Sequence, residues 1–200
     1  MRGIKVSFNV SAATVVLICA AARATTTTYL TLDTLAREAD VVALGRVLSV
    51  TSRWVGEGRQ KTIATEVKLR VDEAMKGKAQ KEIKFGIQGG VVGEIGQVVH
   101  GVPSFEVGEA VVVFLHHPFA GTEALTLHGL EQGKYTVETT SDGKEAFAVP
   151  ASAGAEFIDP DTGQPTDVRA QTLPLARIRQ VVSAAVKAGS RRSHQSGKAK

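Results

Sequence analysis

Alternation of apolar and polar positions is the main pattern in the middle of this chain. Between Thr62 and Asp72, every second side chain is apolar and most of the side chains between them are charged. Such alternation turns one face of a β-strand towards a core and the other towards water. It is typical of a sheet that is covered on one side. The segment is therefore predicted to form a half-buried antiparallel strand.

Six more segments have strand patterns, and turns rich in glycine and polar residues separate them. They are predicted at residues 41–51, 82–87, 109–115, 125–130, 134–138 and 144–149. Gly45 interrupts the first of these, where a bulge would let a long strand bend. The segment 109–115 is apolar at successive positions from residue 111 onward, which favours a strand covered on both faces. Asp142 and Gly143 form a strong hairpin signal before the last strand.

Two helices are predicted to frame these strands. Thr31 can cap a short helix over 32–38, in which the apolar side chains share one face. A second helix is predicted over 173–188, because Pro174 suits its first turn and apolar residues repeat there at helical spacing. From Gly189 onward the chain has no large apolar residue to bury, so the basic tail 189–200 is predicted to be disordered.

Together these elements predict a mainly β fold in a single domain. A curved first strand, a long second strand and several later strands are typical of a small antiparallel barrel of the oligonucleotide/oligosaccharide-binding (OB) type, framed here by the short N-terminal helix and the C-terminal helix. A two-sheet β-sandwich is the alternative, because strand number alone does not determine closure. The barrel domain is predicted at 25–150, and 151–172 is predicted to be a linker or loop.

The first 24 residues have the layout of an export signal. Two basic residues precede an apolar run over 6–22, and small side chains at Ala22 and Ala24 suit cleavage by a signal peptidase. The mature protein is therefore expected to begin near Thr25 and to be periplasmic or secreted. One alternative is an uncleaved membrane anchor, for which the run is short. The other is lipid attachment at Cys19.

Charge is distributed unevenly along the chain. The formal net charge is +4, but three basic residues belong to the predicted signal and five to the C-terminal end. Removing these eight from the 24 Lys and Arg leaves 16 against all 20 Asp and Glu, so the body carries a net charge of −4. A nucleic-acid partner is therefore not expected. Cys19 is the only cysteine, so the cleaved protein is expected to contain no disulfide and no cysteine nucleophile.

A glycine-rich segment at 89–108 separates the third and fourth predicted strands. It lacks the Lys-Ser/Thr pair and the following helix of a phosphate-binding loop. Two interpretations remain: a long loop that uses glycine for positive φ and close backbone contacts, or a partner-binding loop on a rigid scaffold. The residues predicted for partner binding are Gly90, Gly93, Gly96, His100, Pro103 and Phe105.

Histidines are the other candidate site residues. His116 and His117 end the fourth predicted strand, His128 lies in the fifth and His100 lies in the glycine-rich segment. Adjacent side chains of a strand point to opposite faces, so a shared metal ion would need His100 or His128 brought close by the fold. No catalytic residue and no cofactor are predicted, because neither a Gly-x-Ser-x-Gly elbow nor a helical His-x-x-x-His pair occurs.

Several short motifs follow one another along residues 30–140. They include Ala39 to Val47, Pro103 to Glu109 and the run Gly129-Leu130-Glu131-Gln132-Gly133-Lys134-Tyr135. In these motifs the chain resembles a group of exported bacterial proteins of unknown function. The resemblance implies an exported small β domain and carries over no catalytic residue. In outline the chain is also similar to netrin-like inhibitor domains, which share the barrel type but depend on cysteines that residues 25–200 lack.

The function expected from these patterns is that of an exported, non-enzymatic binding module. Its candidate contact surface is the segment 89–108, and its partner is expected to be a protein or another component of the cell envelope. The basic tail adds a further hypothesis, contact with an anionic membrane surface. The alternative function is a metal-assisted hydrolase that uses His100, His116 or His128.

Overall fold

The computed structural model of this protein describes residues 26–119 and 121–196. The predicted export signal, Cys19 and the last four residues lie outside these ranges. Within them, strands outnumber helices, and the mainly β prediction is confirmed. The predicted short helix near the N-terminus and the helix near the C-terminus are confirmed as well. Neither of these described helices combines the length and the apolar character needed to cross a bilayer.

The described residues form strands of two to fifteen residues and two α-helices. The strands are β1 (Thr26–Thr28), β2 (Val41–Val55), β3 (Thr62–Lys76), β4 (Glu82–Gln88), β5 (Gly90–Val92), β6 (Ile95–Gln97), β7 (Ala110–His116), β8 (Thr126–Leu127), β9 (Lys134–Thr139), β10 (Ala146–Pro150), β11 (Glu156–Ile158), β12 (Pro165–Thr166) and β13 (Leu173–Pro174). The helices are α1 (Leu32–Glu38) and α2 (Leu175–Ser196), and two 3₁₀ turns lie at Gly58–Gln60 and Leu130–Gly133.

The main sheet closes on itself through five of its strands. Its eight strands run in the order β13-β10-β9-β7-β2-β3-β4-β8, and β8 also pairs with β7. β7, β2, β3, β4 and β8 are therefore hydrogen-bonded in a closed ring. An odd-membered ring cannot be antiparallel throughout, and β4 and β8 run parallel at the single pair Gly86 and Thr126. The sheet is thus mixed, which corrects the prediction of a purely antiparallel arrangement.

The two longest strands, β2 and β3, bend together. Their register shifts three times between Val42 and Ser49. Gly45 lies at one of these shifts, and a Cβ atom there would stand 2.1 Å from the Arg70 carbonyl oxygen. A residue with a side chain would therefore push the strands apart. The register shift at Gly45 agrees with the irregularity predicted at this position.

Successive residues of β7 face two different cores. Val111, Val113 and Leu115 pack with apolar side chains of β2, β3 and β4 in a cluster that we call the ring core. Val112 and Phe114 pack with α1 and α2 in a second cluster, the helix core. Because both faces of β7 are covered, all five of these residues are fully buried. This arrangement confirms the coverage predicted from the unbroken apolar run.

The C-terminal helix is longer than its sequence pattern predicted. α2 packs on the helix core through Leu175, Ile178 and Val182, and its last contact with that core is at Ala185. It nevertheless continues through Ser196. Alanine, lysine and arginine in these later turns are good helix formers even without core contacts. Residues 189–196 are therefore helical where disorder was predicted.

Two other segments also differ from their predictions. The segment 151–172, predicted as a linker, contributes β11 and β12 to a three-stranded sheet with β1. The Phe157 side chain of β11 is buried and packs edge-to-face with Tyr29, with ring centres 6.0 Å apart. β8 is shorter than the strand predicted at 125–130, because the chain adopts positive φ at Gly129 and Leu130 and turns there.

Candidate functional site

The glycine-rich segment consists of two parts with different surroundings. The first part contains β5 and β6, which form an antiparallel hairpin that turns at Gly93 and Glu94. The second part runs from the hairpin to β7, and near its end Gly108 N–H donates to the Val47 carbonyl at 2.9 Å. Residues 89–98 are called the hairpin below, and residues 99–109 are called the anchored arm.

Buried groups hold the anchored arm against the rest of the protein. Phe105 is 7% exposed and packs edge-to-face on Phe85 of the ring core, with ring centres 5.3 Å apart. Gly101 has φ +80 and donates its N–H to the Ala153 carbonyl at 2.8 Å. Removing the Phe105 ring would open a cavity in the ring core. The anchored arm is therefore part of the scaffold.

A nearly buried ion pair fixes the end of the anchored arm to β9. Lys134 Nζ lies 2.7 Å from Glu109 Oε1, and these side chains are 7% and 16% exposed. Lys134 also donates to the Ser104 carbonyl at 2.7 Å, and the Thr136 hydroxyl donates to Glu109 Oε1 at 2.6 Å. Burial alone would raise the pKa of the Glu109 carboxyl, but hydrogen bonds from Lys134 and Thr136 and the Lys134 charge hold that pKa below its usual value.

A cleft of about 430 Å³ lies between the hairpin, the anchored arm and the nearby strands of the ring. Valine, isoleucine, proline and phenylalanine side chains line much of it. The polar side chains in its lining are those of Ser52, Thr65, Gln88, Gln97 and Ser104. None of the lining residues is charged. The cleft therefore favours an uncharged and largely apolar group.

Hydrogen bonds within the protein hold the base of the hairpin on β2 and β3. The Ser52 and Thr65 hydroxyls lie 2.8 Å apart, and Thr65 donates to the Gly89 carbonyl at 2.6 Å. Ser52 accepts from the Val91 N–H at 3.3 Å. The backbone at Gly90 passes close to the Ser52 and Thr65 hydroxyls with φ +128, and a Cβ atom there would stand 2.2 Å from Thr65 Oγ1. Only glycine fits this crossing.

The second strand of the hairpin is also tied to the scaffold by one side chain. The Gln97 side-chain oxygen accepts from the Thr62 hydroxyl at 2.9 Å and from the Ile63 N–H at 2.8 Å. Because Gln97 reaches back to β3, β6 does not depend on its pairing with β5 alone. The hairpin is therefore supported at its base, and only its outer part extends from the scaffold.

The hairpin presents apolar side chains to solvent along its length. Val91 is 65% exposed, Ile95 is 56% exposed and Val98 is 86% exposed. Gly96 lies opposite Val91 on the cleft face, where a Cβ atom would meet only the Val91 side chain at 3.8 Å. Val91 and Val98 line the cleft, whereas Ile95 pairs with Val92 and faces the other side of the hairpin. Exposed apolar residues beside a cleft are typical of interaction sites on soluble proteins.

The structure brings four of the six predicted partner-binding residues to the cleft. These four are Gly90, Gly96, Pro103 and Phe105. Gly93 lies at the exposed turn of the hairpin. His100 is exposed at the start of the anchored arm, close to Gly154 rather than in the cleft lining. Pro103 and Phe105 are buried, so they support the cleft as parts of the core.

Sequence reasoning missed other residues of the same surface. Ser52 and Thr65 lie in long strands and have no local motif that marks them. Val98 is the most exposed of the three hairpin side chains, and it follows directly after the last strand residue, Gln97. An apolar residue in a glycine-rich loop was the one available signal for Val98.

Two histidines meet where β7 pairs with β8. The Nδ1 atoms of His116 and His128 are 3.2 Å apart, and His128 Nε2 lies 3.2 Å from Glu38 Oε2 of α1. Burial and repulsion by His128 lower the pKa of His116, although Asp40 opposes that shift. His100 does not join them. Within residues 26–119 and 121–196, no group of three or more His, Cys, Asp or Glu side chains is arranged to hold a metal ion.

The Gly129–Tyr135 run has a structural role. Glu131 accepts from the Ala153 N–H, and Gln132 accepts from the Leu30 N–H at 2.7 Å. Lys134 holds the anchored arm, as described above. All three side chains are buried, and each one fixes a different segment of the chain. The motif therefore supports the packing of the domain around the cleft.

Comparisons with known proteins add no further assignment. No protein-family model, no curated protein and no solved structure matches this chain significantly.

Proposed function

We propose that this protein is an exported binding module that captures a protein partner through the hairpin and the adjacent cleft. The observation that carries the proposal is an exposed apolar hairpin directly beside a cleft without charged lining residues. Covering exposed apolar surface contributes about 25 cal/mol for each Å² removed from water. The partner is expected to present an uncharged apolar segment, with one side chain entering the cleft.

Support at the base of the hairpin favours tight recognition. The Ser52 and Thr65 hydroxyls, Gln97 and the anchored arm already hold the surrounding backbone in place. A surface that is ordered before binding loses less conformational entropy when the partner arrives. The exposed valine and isoleucine side chains add little further cost, because branching at Cβ already limits their rotamers.

The chemistry of this surface favours a protein over a nucleic acid. Nucleic-acid binding depends on Lys and Arg side chains that neutralise phosphates. The lining of the cleft contains neither, and the body of the chain carries a net charge of −4. Single-strand binding would also require stacked aromatic rings, whereas Phe105 is packed into the ring core.

We also propose that the closed ring is an OB-like barrel. Its five members, the bend in β2 and β3 and the apolar core inside the ring support this assignment. Barrels of this type usually carry a helix between the third and fourth strands. Here the hairpin and the anchored arm occupy that position, so the candidate binding surface replaces the usual helix.

The proposal also includes export and an electrostatic contact with anionic surfaces. Export is proposed from the N-terminal pattern, and it would bring the hairpin into contact with proteins of the periplasm or the exterior. No acidic residue follows Asp167, while Arg177, Lys187 and Arg191 of α2 are exposed. These charges favour a weak, salt-sensitive attachment to anionic surfaces in addition to capture by the hairpin.

The proposal is tested by filling the cleft without disturbing the fold. Gly96→Leu places a side chain on the cleft face, where the glycine has ordinary φ and a Cβ atom would meet only the Val91 side chain, at 3.8 Å. Its matched control is Gly189→Leu in α2, which adds the same side chain where nothing lies within 4 Å. Envelope extract is passed over the wild-type protein and both variants, and the retained proteins are quantified by mass spectrometry.

Wild type and Gly189→Leu are expected to retain the same partner, and Gly96→Leu is expected to retain at least about tenfold less of it. The thermal midpoint of Gly96→Leu should stay within a few degrees of the wild-type value. Equal retention by all three proteins would contradict the proposal, as would the absence of any specifically retained protein.

A further inference from the structure

The His116 and His128 rings are joined by a bent hydrogen bond between their Nδ1 atoms. Their Nδ1 atoms are 3.2 Å apart, their centres are 5.0 Å apart and their planes meet at 83°. A straight N–H···N bond at this length would place the ring centres about 5.5 Å apart, because each centre lies about 1.15 Å behind its nitrogen. The two nitrogens are therefore bent away from a head-on approach.

The same distances agree with two imidazoles that share one tetrahedral metal ion. Two nitrogens at about 2.05 Å from Zn²⁺ lie about 3.3 Å apart, and the centres of their rings lie about 5.2 Å apart. Both values are within about 0.2 Å of those between His116 and His128. An ion would need little movement of either ring.

Glu38 prepares His128 for this role from the other side of its ring. His128 Nε2 lies 3.2 Å from Glu38 Oε2, and this carboxylate favours the tautomer that carries its proton on Nε2. Nδ1 then carries the free electron pair and faces His116. A carboxylate that holds the outer nitrogen of a ligand histidine is a recurring feature of zinc sites, where it fixes the ring and raises its basicity.

The surrounding charges also favour a cation. Glu38 contributes one negative charge, and Asp40 is close enough to His116 to act on it electrostatically. Asp40 itself accepts from the His117 N–H at 2.9 Å, while the His117 ring is engaged with the Ala124 carbonyl at 3.0 Å. His117 is therefore turned to a different partner, which makes it a suitable control.

We propose that His116 and His128 bind one borderline divalent transition-metal ion, Zn²⁺ or Cu²⁺, through their Nδ1 atoms, with water completing the coordination. When the ion binds, the proton that lies between the two Nδ1 atoms is transferred through solvent to His116 Nε2. Both rings therefore remain neutral and no proton is released. The site is separate from the hairpin and the cleft, and no hydrolytic step is assigned to it.

Binding at this position would fasten the closure of the ring. Beside the two histidines, β7 and β8 pair at Leu115 with Leu127 and at His116 with Thr126. β8 has only two residues, and its pairing with β4 is limited to one position. An ion held by both histidines would link β7 to the chain directly after β8 and would stabilise the folded state in proportion to its binding free energy.

The test titrates the purified, exported protein with Zn²⁺ in a calorimeter and with Cu²⁺ by electron paramagnetic resonance. One equivalent is expected to bind, with two imidazole nitrogens on Cu²⁺ and a rise in the thermal midpoint. His116→Gln and His128→Gln are each expected to weaken binding at least about tenfold, and Glu38→Gln about tenfold. The controls His117→Gln, His100→Gln and His194→Gln should bind within about twofold of wild type.

If a histidine variant does not fold, the wild-type protein still tests the metal-binding proposal. Substoichiometric Cu²⁺ should broaden the ring resonances of His116 and His128 in nuclear magnetic resonance spectra before those of the other histidines. The proposal is overturned if no equivalent binds, if His117→Gln or His100→Gln removes binding, or if the broadening begins elsewhere.

Discussion

The hairpin and the anchored arm are neighbours in the chain, yet they have opposite relations to the core. Both contain glycine and valine. The arm buries Phe105 at 7% exposure, although its Val107 is 68% exposed, whereas the hairpin buries no side chain and leaves Val98 at 86%. The difference arises from the groups that contact each part. Phe85 and Lys134 contact the arm, while hydroxyl and amide groups support only the base of the hairpin. Neighbouring residues of one loop can therefore divide between packing in the core and exposure to solvent.

The largest effect expected from this difference is on stability. Phe105→Ala should lower the free energy of unfolding by about 3–5 kcal/mol, because it removes a ring from the ring core and leaves a cavity. Its control, Val98→Ala in the hairpin, should change that free energy by less than about 0.5 kcal/mol. Urea unfolding followed by circular dichroism measures both. Similar losses in the two variants would remove the distinction between arm and hairpin.

A smaller loss is expected when the ion pair of the arm is broken. Lys134→Met should cost about 2–3 kcal/mol, because Glu109 keeps its charge in a largely buried position without its partner. Adding Glu109→Gln to this variant should restore part of the loss, since the unpaired charge is removed. Urea unfolding of the single and double variants gives the coupling. A double variant less stable than Lys134→Met would contradict this account of the Lys134–Glu109 ion pair.

The smallest effect is a change in the response to acid. The pKa of Glu109 is lowered in the folded protein from the ordinary glutamate value of 4.5. As pH falls below about 4.5 the unfolded chain takes up this proton first, so the stabilisation from Glu109 is lost as pH falls through the folded pKa. Glu109→Gln should therefore show a shallower fall of the thermal midpoint between pH 5 and pH 3 than wild type. Parallel curves for the two proteins would rule out this contribution.

The sequence predicted the parts of the fold that depend on local pattern. The alternation in β3, the apolar run of β7 and the cap at Thr31 each follow from side chains close together in the chain, and the structure contains all three elements. The small sheet of β1, β11 and β12 was missed because each strand has three residues or fewer. Such strands form through tertiary contacts, and their sequences have no alternation to detect.

The candidate site was only partly visible in the sequence for a similar reason. Glycines at 90 and 96 pointed to the right segment, but the division between hairpin and arm depends on Lys134 and Phe85, which are distant in the chain. The contact between His116 and His128 likewise requires the turn after β7 to bring β8 back. Sequence spacing alone could not show that these two rings meet.

The most direct test of the binding proposal is site-specific photocrosslinking in cells that produce the protein. A benzophenone amino acid is placed at Val98 in the hairpin or at Val168, which is also exposed, at 50%, but lies outside it. The account predicts one specific adduct from position 98, its loss when Gly96→Leu is added, and no such adduct from position 168. An adduct from position 98 that survives Gly96→Leu, or the same adduct from both positions, would contradict it.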